Sequence, residues 1–420
     1  MSMQAHRYVL GLLVGIAALG LSLASIDVAA ASADAASIAR GAYLARIGDC
    51  AGCHTDRDAV AMAGGRAIPT PFGTIYAPNV TPDATTGIGQ FKDDDFWHAL
   101  HDGVRRDGAL LYPAFPFVAY TKLRRADVDD IFAYLQSLPA VQRTPRANSL
   151  RFPYSVRGVL RAWRALFFTA GEYHDDPQHD AQWNRGAYLV QGLGHCQSCH
   201  TQRNFLGAID ADRVLAGGLI PVQNWVAPNL VGKHGPQQWQ RSELAKFLTT
   251  GVSARRSAYG PMAEVIHNSL QYLTVADTKA MVTYLTSLPT QTTAAPPAVI
   301  EPPPQQIENL RSEGQALYKK YCRGCHQDDG RGVDAIYPAL ADNASVTAAR
   351  AINPIRMVLL GGFAPPTAAN PRPYSMPAFS HKLSDREVAA IITYIRSAWS
   401  NDAAAVSPQT IHRYRSTPLQ

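Results

Sequence analysis

"GDCAGCHT", residues 48–55, sets two cysteines two residues apart and a histidine directly after the second. The same arrangement returns in "GHCQSCHT" at 194–201 and "KYCRGCHQ" at 320–327. The chain has six cysteines, and these motifs use them all: Cys50 and Cys53, Cys196 and Cys199, Cys322 and Cys325. Cys-x-x-Cys-His is the signature of covalent c-type haem attachment. Two thiols add across two vinyl groups to make thioethers, and the adjoining imidazole is placed to reach the iron. His54, His200 and His326 are therefore the candidate first axial ligands, and the expectation is three haems c, each covalently bound. A structural zinc site needs four ligands, usually from paired knuckles, and has no need of a histidine directly after each cysteine pair. A redox Cys-x-x-Cys would sit in a βαβ pattern, which the sequence lacks.

The N-terminus points to export. After His6 and Arg7 comes "YVLGLLVGIAALGLSLASI" (8–26), 19 residues without a charge, then the small-residue stretch Ala31-Ser32-Ala33. This reads as a signal peptide over 1–33 with cleavage before Asp34; the alternative is a retained anchor, since 19 residues nearly span a bilayer. The rest, 46% hydrophobic and 17% charged in the full chain of 420 residues, suits a globular body of about three domains. Net charge is a modest +6 with no basic run, so no nucleic-acid partner is expected.

The surroundings of the motifs repeat. Upstream lie "RGAYLARIGDCAGCHT" (40–55), "RGAYLVQGLGHCQSCHT" (185–201) and the looser "EGQALYKKYCRGCHQ" (313–327). Each reads as a helix carrying a glycine and an aromatic and ending at the motif. Downstream each unit closes with "ADVDDIFAYLQSLP" (126–139), "ADTKAMVTYLTSLP" (276–289) or "SDREVAAIITYIRSAW" (384–399). Ile131, Tyr134 and Leu135 match Met281, Tyr284 and Leu285, then Ile391, Tyr394 and Ile395; spacing of three and four marks one buried helix face. The expected fold is mainly α, three tandem class-I-type cytochrome c domains. Their boundaries are 34–146, 177–290 and 307–400, with an amphipathic connecting helix over 147–176, a Pro-rich linker over 291–306 and a polar tail over 401–420.

An electron-transfer haem commonly takes methionine as its second ligand, whose soft thioether raises the potential. "AYGPMAEV" offers Met262 and "YSMPAF" offers Met376, both in Pro-containing loops ahead of the closing helix. Met281 and Met357 sit on apolar helical faces and read as core. In the first unit the corresponding loop, "LLYPAFPFVAY", has Phe115 where methionine is called for. Phenylalanine cannot bind iron. The candidates for that sixth position are Met62, His98 and His101, or no protein ligand at all.

These residues carry a family resemblance. The stretches "TPFGTIYAPNVTPDATTGIG" (70–89), "RRDGALLYPAFPF" (105–117), "WNRGAYLVQGLGHCQSCHTQRNFLGA" (183–208) and "GPMAEVIHNSLQYL" (260–273) resemble the triheme cytochrome c subunits of bacterial membrane-associated dehydrogenases. The resemblance implies axial roles for His54, His200, His326, Met262 and Met376. It also implies a catalytic partner subunit of quinoprotein, flavoprotein or molybdopterin type, ubiquinone or another respiratory acceptor, and a place on the periplasmic side of the inner membrane. Phe115 departs from the family's methionine.

"SLRFPYSVRGVLRAWRALFFTAGEY" (149–173) stands apart from the repeats. Val156, Val159, Leu160, Trp163, Leu166 and Phe167 recur at helical spacing beside Arg157, Arg161 and Arg164. That pattern fits an interfacial membrane helix. It fits equally an interdomain helix packed on the second domain, or a docking surface near a quinone. No Ser/His/Asp nucleophile, phosphate loop or dinucleotide motif is present, so the chain reads as a conductor of electrons for a partner enzyme, not an enzyme itself. The competing readings are a haem enzyme or sensor with an open first iron, and a free-standing periplasmic shuttle.

Overall fold

The structure is a computed structural model that describes residues 34–232, 235–290 and 301–415. The expected signal segment, the linker stretch 291–300 and the last five residues lie outside the described residues. The fold is mainly helical with short antiparallel strand pairs.

Three helix crossings organise it. The helix over 34–47 meets Arg125–Gln136, Ala181–Tyr188 meets Val275–Ser287, and Pro304–Tyr321 meets Asp385–Ser397. A glycine makes each crossing close: any side chain at Gly41, Gly186 or Gly314 would overlap the carbonyl oxygen of Asp130, Ala280 or Ala390. Tyr284 and Tyr394 then cover Gly186 and Gly314 with their Cβ atoms. The closing helices of the first two units stop at Gln136 and Ser287, short of Pro139 and Pro289, because the residue before a proline is driven out of the helical region.

Gly41 lies nine residues before Cys50, whereas Gly186 lies ten before Cys196. The added residue is absorbed by a π-helical turn, Leu189–Leu193, which keeps the glycine at the crossing and the cysteines at the loop.

The buried side chains form two cores. One is shared by the first two units, running from Leu44 and Ile131 to Leu189 and Leu285; the other, from Leu310 to Ile411, belongs to the third. The stretch expected as one connecting helix is divided. Ser149–Leu150 adds a third strand to the hairpin of Ala67–Thr70 and Gly73–Tyr76, and only Val159–Phe167 is helical. The basic stripe does not form a common solvent face. Arg157 turns back onto Tyr112 and the Leu110 carbonyl, and Arg164 lies over Phe117 and Phe168. Trp163 donates its indole N–H to the carbonyl of Leu206, tying the helix to the second unit.

The stretch expected as a polar tail carries the helix Pro408–Arg415, which buries Ile411 and pairs Arg415 with Asp385 at the start of the last closing helix. Among the described residues, no helix is long and apolar enough to cross a membrane.

Candidate functional site

Each Cys-x-x-Cys-His motif folds as a single helical turn: Cys50–His54, Gln197–His200 and Arg323–His326. Helical pitch places residues three and four apart on one face, so the two thiols and the imidazole of each motif converge. Asp49 and His195 enter the first two turns with left-handed φ of 51° and 37°, a kink that swings the cysteines away from the preceding helix.

The three imidazoles are held alike. Nδ1 of His54 lies 2.8 Å from the carbonyl oxygen of Pro78, that of His200 2.7 Å from Pro228, and that of His326 2.9 Å from Pro338. A carbonyl can only accept, so each Nδ1 carries the proton and each Nε2 keeps its lone pair. Burial lowers the pKa of all three histidines, against the smaller opposing pull of the proline carbonyl, which favours the neutral, ligating form. The histidine carbonyls are fixed too, each accepting from a glycine N–H: Gly64, Gly217 and Gly332. Burial likewise pushes the thiols up, to about 12 for Cys50, Cys196 and Cys322 and about 11 for Cys53.

Two thiols and one neutral imidazole with a free Nε2, repeated three times, are a donor set that fits haem c; the second thiol is open to solvent in the first and third motifs, at Cys53 and Cys325. When bound, haem supplies a one-electron iron couple whose potential the axial ligands and burial tune. The six cysteines form no disulfide, and among the described residues no group of three or more His, Cys, Asp or Glu is gathered to hold a metal ion.

The prolines carry a role that spacing alone did not reveal. The signal is present as "APN" at 77–79 and again at 227–229, but the third unit keeps only Pro338, in "YPA".

Met262 stands in the first turn of the helix Pro261–Asn268, half-buried against the core, where a loop was expected. Gly260 ahead of it has φ 56°, and a side chain there would press on the Trp225 ring. Trp225 opens the strand that leads to Pro228. The segment bearing Met262 and the segment holding His200 thus meet at one contact. Met376 lies in the short strand Ser375–Met376, paired with Gly362–Phe363.

In the first unit, Phe115 packs half-buried on the core with its ring 5.4 Å from that of Tyr120. The backbone N–H of Met62 donates to the Thr55 hydroxyl, and its carbonyl accepts from the Val80 N–H. Leu215 does the same with Thr201 and Leu230, at a similar positive φ. Met62 is therefore the counterpart of an aliphatic core residue, beside the segment whose Pro78 holds His54. His98 and His101 both turn Nδ1 to Asp102, and His101 stacks on Trp97. Aligned on Gly103 and Gly251, which end their helices with φ of 62° and 75°, they correspond to Lys246 and Thr249.

A mainly helical protein whose helix crossings lead into Cys-x-x-Cys-His turns with carbonyl-held histidines defines the c-type cytochrome class. The family profile for cytochrome c matches residues 312–399. The fructose dehydrogenase cytochrome subunit of Gluconobacter japonicus is 39% identical over 412 residues, 92% of this chain and 84% of that protein. The cytochrome c subunit of the quinone-dependent alcohol dehydrogenase of Gluconobacter oxydans is 36% identical over 418 residues, 96% and 87% of the two chains. A nicotinate dehydrogenase subunit of Pseudomonas putida is 41% identical over 376 residues, 88% of this chain but 31% of that longer protein. The chain belongs to the family of cytochrome c subunits of bacterial dehydrogenases.

Proposed function

We propose that the chain is a triheme electron conductor built of three tandem class-I-type cytochrome c domains. Haems c would be attached at Cys50/Cys53, Cys196/Cys199 and Cys322/Cys325, with His54, His200 and His326 as first ligands and Met262 and Met376 as sixth ligands of the second and third. The observation that carries this reading is the threefold histidine-to-proline-carbonyl bond, which presents a neutral Nε2 at every motif. Such outer bonds fix a ligand's tautomer and orientation and raise its basicity.

In this reading the chain performs no substrate chemistry. A catalytic dehydrogenase subunit oxidises an alcohol, aldehyde, sugar or N-heterocycle, and this chain carries the electrons to ubiquinone or another respiratory acceptor at the periplasmic face of the inner membrane. Phe115 leaves the first site without the methionine of the other two, which separates its potential from theirs. Membrane contact through 149–173 is supported by the exposure of Phe152 (83%) and Leu166 (70%), with Val156 and Val159 also open to solvent.

Purification of the native complex tests the proposal. A large catalytic subunit should copurify, and its substrate should reduce the haems of this chain. A chain that purifies alone, and whose haems no dehydrogenase substrate reduces in the native membrane, contradicts it.

A further inference from the structure

The first two units are joined by a set of reciprocal contacts that the third unit does not share. Arg185 forms a two-pronged pair with Asp277 of its own closing helix, at 2.8 Å for both bonds. The same Asp277 accepts the hydroxyl of Tyr43, from the other unit, at 2.6 Å. In mirror fashion Arg40 pairs with Asp127 of its own closing helix, and Asp127 accepts the hydroxyl of Tyr188 from the second unit. Asp127 and Asp277 are 2% and 7% exposed, so both carboxylates are buried, while Arg40 and Arg185 keep part of their side chains in water. The repeated "RGAY" thus divides its work: arginine binds within the unit, glycine admits the closing helix, and tyrosine crosses to the neighbour.

The haem-attachment turns lie inside this joint. The helix Phe117–Tyr120 touches the π-turn Leu189–Leu193 ahead of Cys196, and Pro261–Asn268 touches Cys50–His54. Tyr120 donates its hydroxyl to the Gly48 carbonyl at 3.1 Å, and Ser269 donates to the Ile47 carbonyl at 2.8 Å. A side chain at Gly48 would press on Leu193 at 3.1 Å. Residues two and three before Cys50 are therefore pinned from both sides of the joint. The third unit has Ala316 at the tyrosine position and a charge-reversed pair, Glu313 with Arg386.

We propose that the first two attachment sites form one redox pair related by a pseudo-twofold axis, with Tyr43 and Tyr188 as the positioning residues that fix their separation, and that the third site is joined to the pair in series. This rests on the reading that each site carries a covalent haem. Exchange within the pair moves one electron, oxidising one iron as it reduces the other, with no bond or proton changing hands.

The test uses the haem-loaded full chain with Tyr43→Phe and Tyr188→Phe together, and Arg386→Gln as the third-unit control. Electron exchange between the first two haems is followed after a photochemical pulse; the first site is distinguished by its lack of a methionine ligand. The double variant should exchange severalfold more slowly, because electron tunnelling falls steeply with the separation that the two tyrosines fix. Each haem spectrum should stay unchanged, and Arg386→Gln should exchange as the parent does. An unchanged rate in the double variant overturns the proposal, as does an equal slowing by Arg386→Gln. If the double variant does not load haem, Ser269→Ala, which removes only the bond to Ile47, replaces it, and an unchanged rate there overturns the proposal. A chain without covalent haem refutes the triheme reading, whereas a loaded chain with unchanged exchange refutes only the pair.

Discussion

Gly314 packs its Cα against the carbonyl oxygen of Ala390, in space that no side chain can enter. Alanine is ordinarily favoured over glycine within a helix by about 1 kcal/mol. Here that gain is outweighed, because overpacking a closed contact costs roughly 1–3 kcal/mol. Gly314→Ala should lower the denaturation midpoint of the haem-loaded chain. Gly158→Ala, at the open start of the helix Val159–Phe167, should leave it unchanged or slightly raised.

Asp49 gives a pH dependence of defined sign. Burial is the main cause that raises its pKa, to about 7, with Glu264 adding to the rise and Arg66 opposing it. The folded state then holds a proton that the unfolded chain releases near pH 4, so stability falls as pH rises from about 4 to 7. At about 1.4 kcal/mol for each unit, the effect reaches at most about 4 kcal/mol above pH 7. Asp49→Asn should flatten the stability profile over that interval and be the more stable form at pH 8, as measured by urea titration at several pH values.

Phe115→Met supplies a thioether in the first unit where Met262 stands in the second. The ferric-iron–thioether absorption band should grow from two haems' worth to three, and the first haem's potential should rise. Met262→Leu should remove one haem's share of that band while leaving covalent attachment intact. An unaltered band in Met262→Leu would remove that residue from the ligand set.

Phe152 and Leu166 are exposed apolar residues with little to lose on folding. Replacing both with glutamate should leave the stability within about 0.5 kcal/mol of the parent. Sedimentation with anionic lipid vesicles should fall sharply, because interfacial binding scales with buried apolar area.

Much of this architecture is legible in the sequence, because haem attachment is local. Cys50, Cys53 and His54 lie within one helical turn, so their spacing states their chemistry. The closing helices are likewise marked by spacings of three and four, and Pro139 and Pro289 limit where they end. What escapes is long-range. Nothing in local spacing ties Tyr43 to Asp277, 234 residues away. Pro78, Pro228 and Pro338 contribute a backbone carbonyl, a group every residue has, so no side-chain chemistry advertises them. The amphipathic pattern of 149–173 overstates its helix because Ser149–Leu150 is recruited to a sheet edge instead. The polar residues after 400 pack because Ile411 finds a place in the core of the third unit.

If His54, His200 and His326 each serve a haem tethered by the neighbouring cysteine pair, the haems must survive denaturation. Intact-mass measurement of the exported chain, unfolded to strip anything not covalently held, reads this out. The mass should exceed that of the polypeptide by three haem groups, and fall by one when both cysteines of any single motif are replaced by alanine. A chain at polypeptide mass with six free thiols would contradict it.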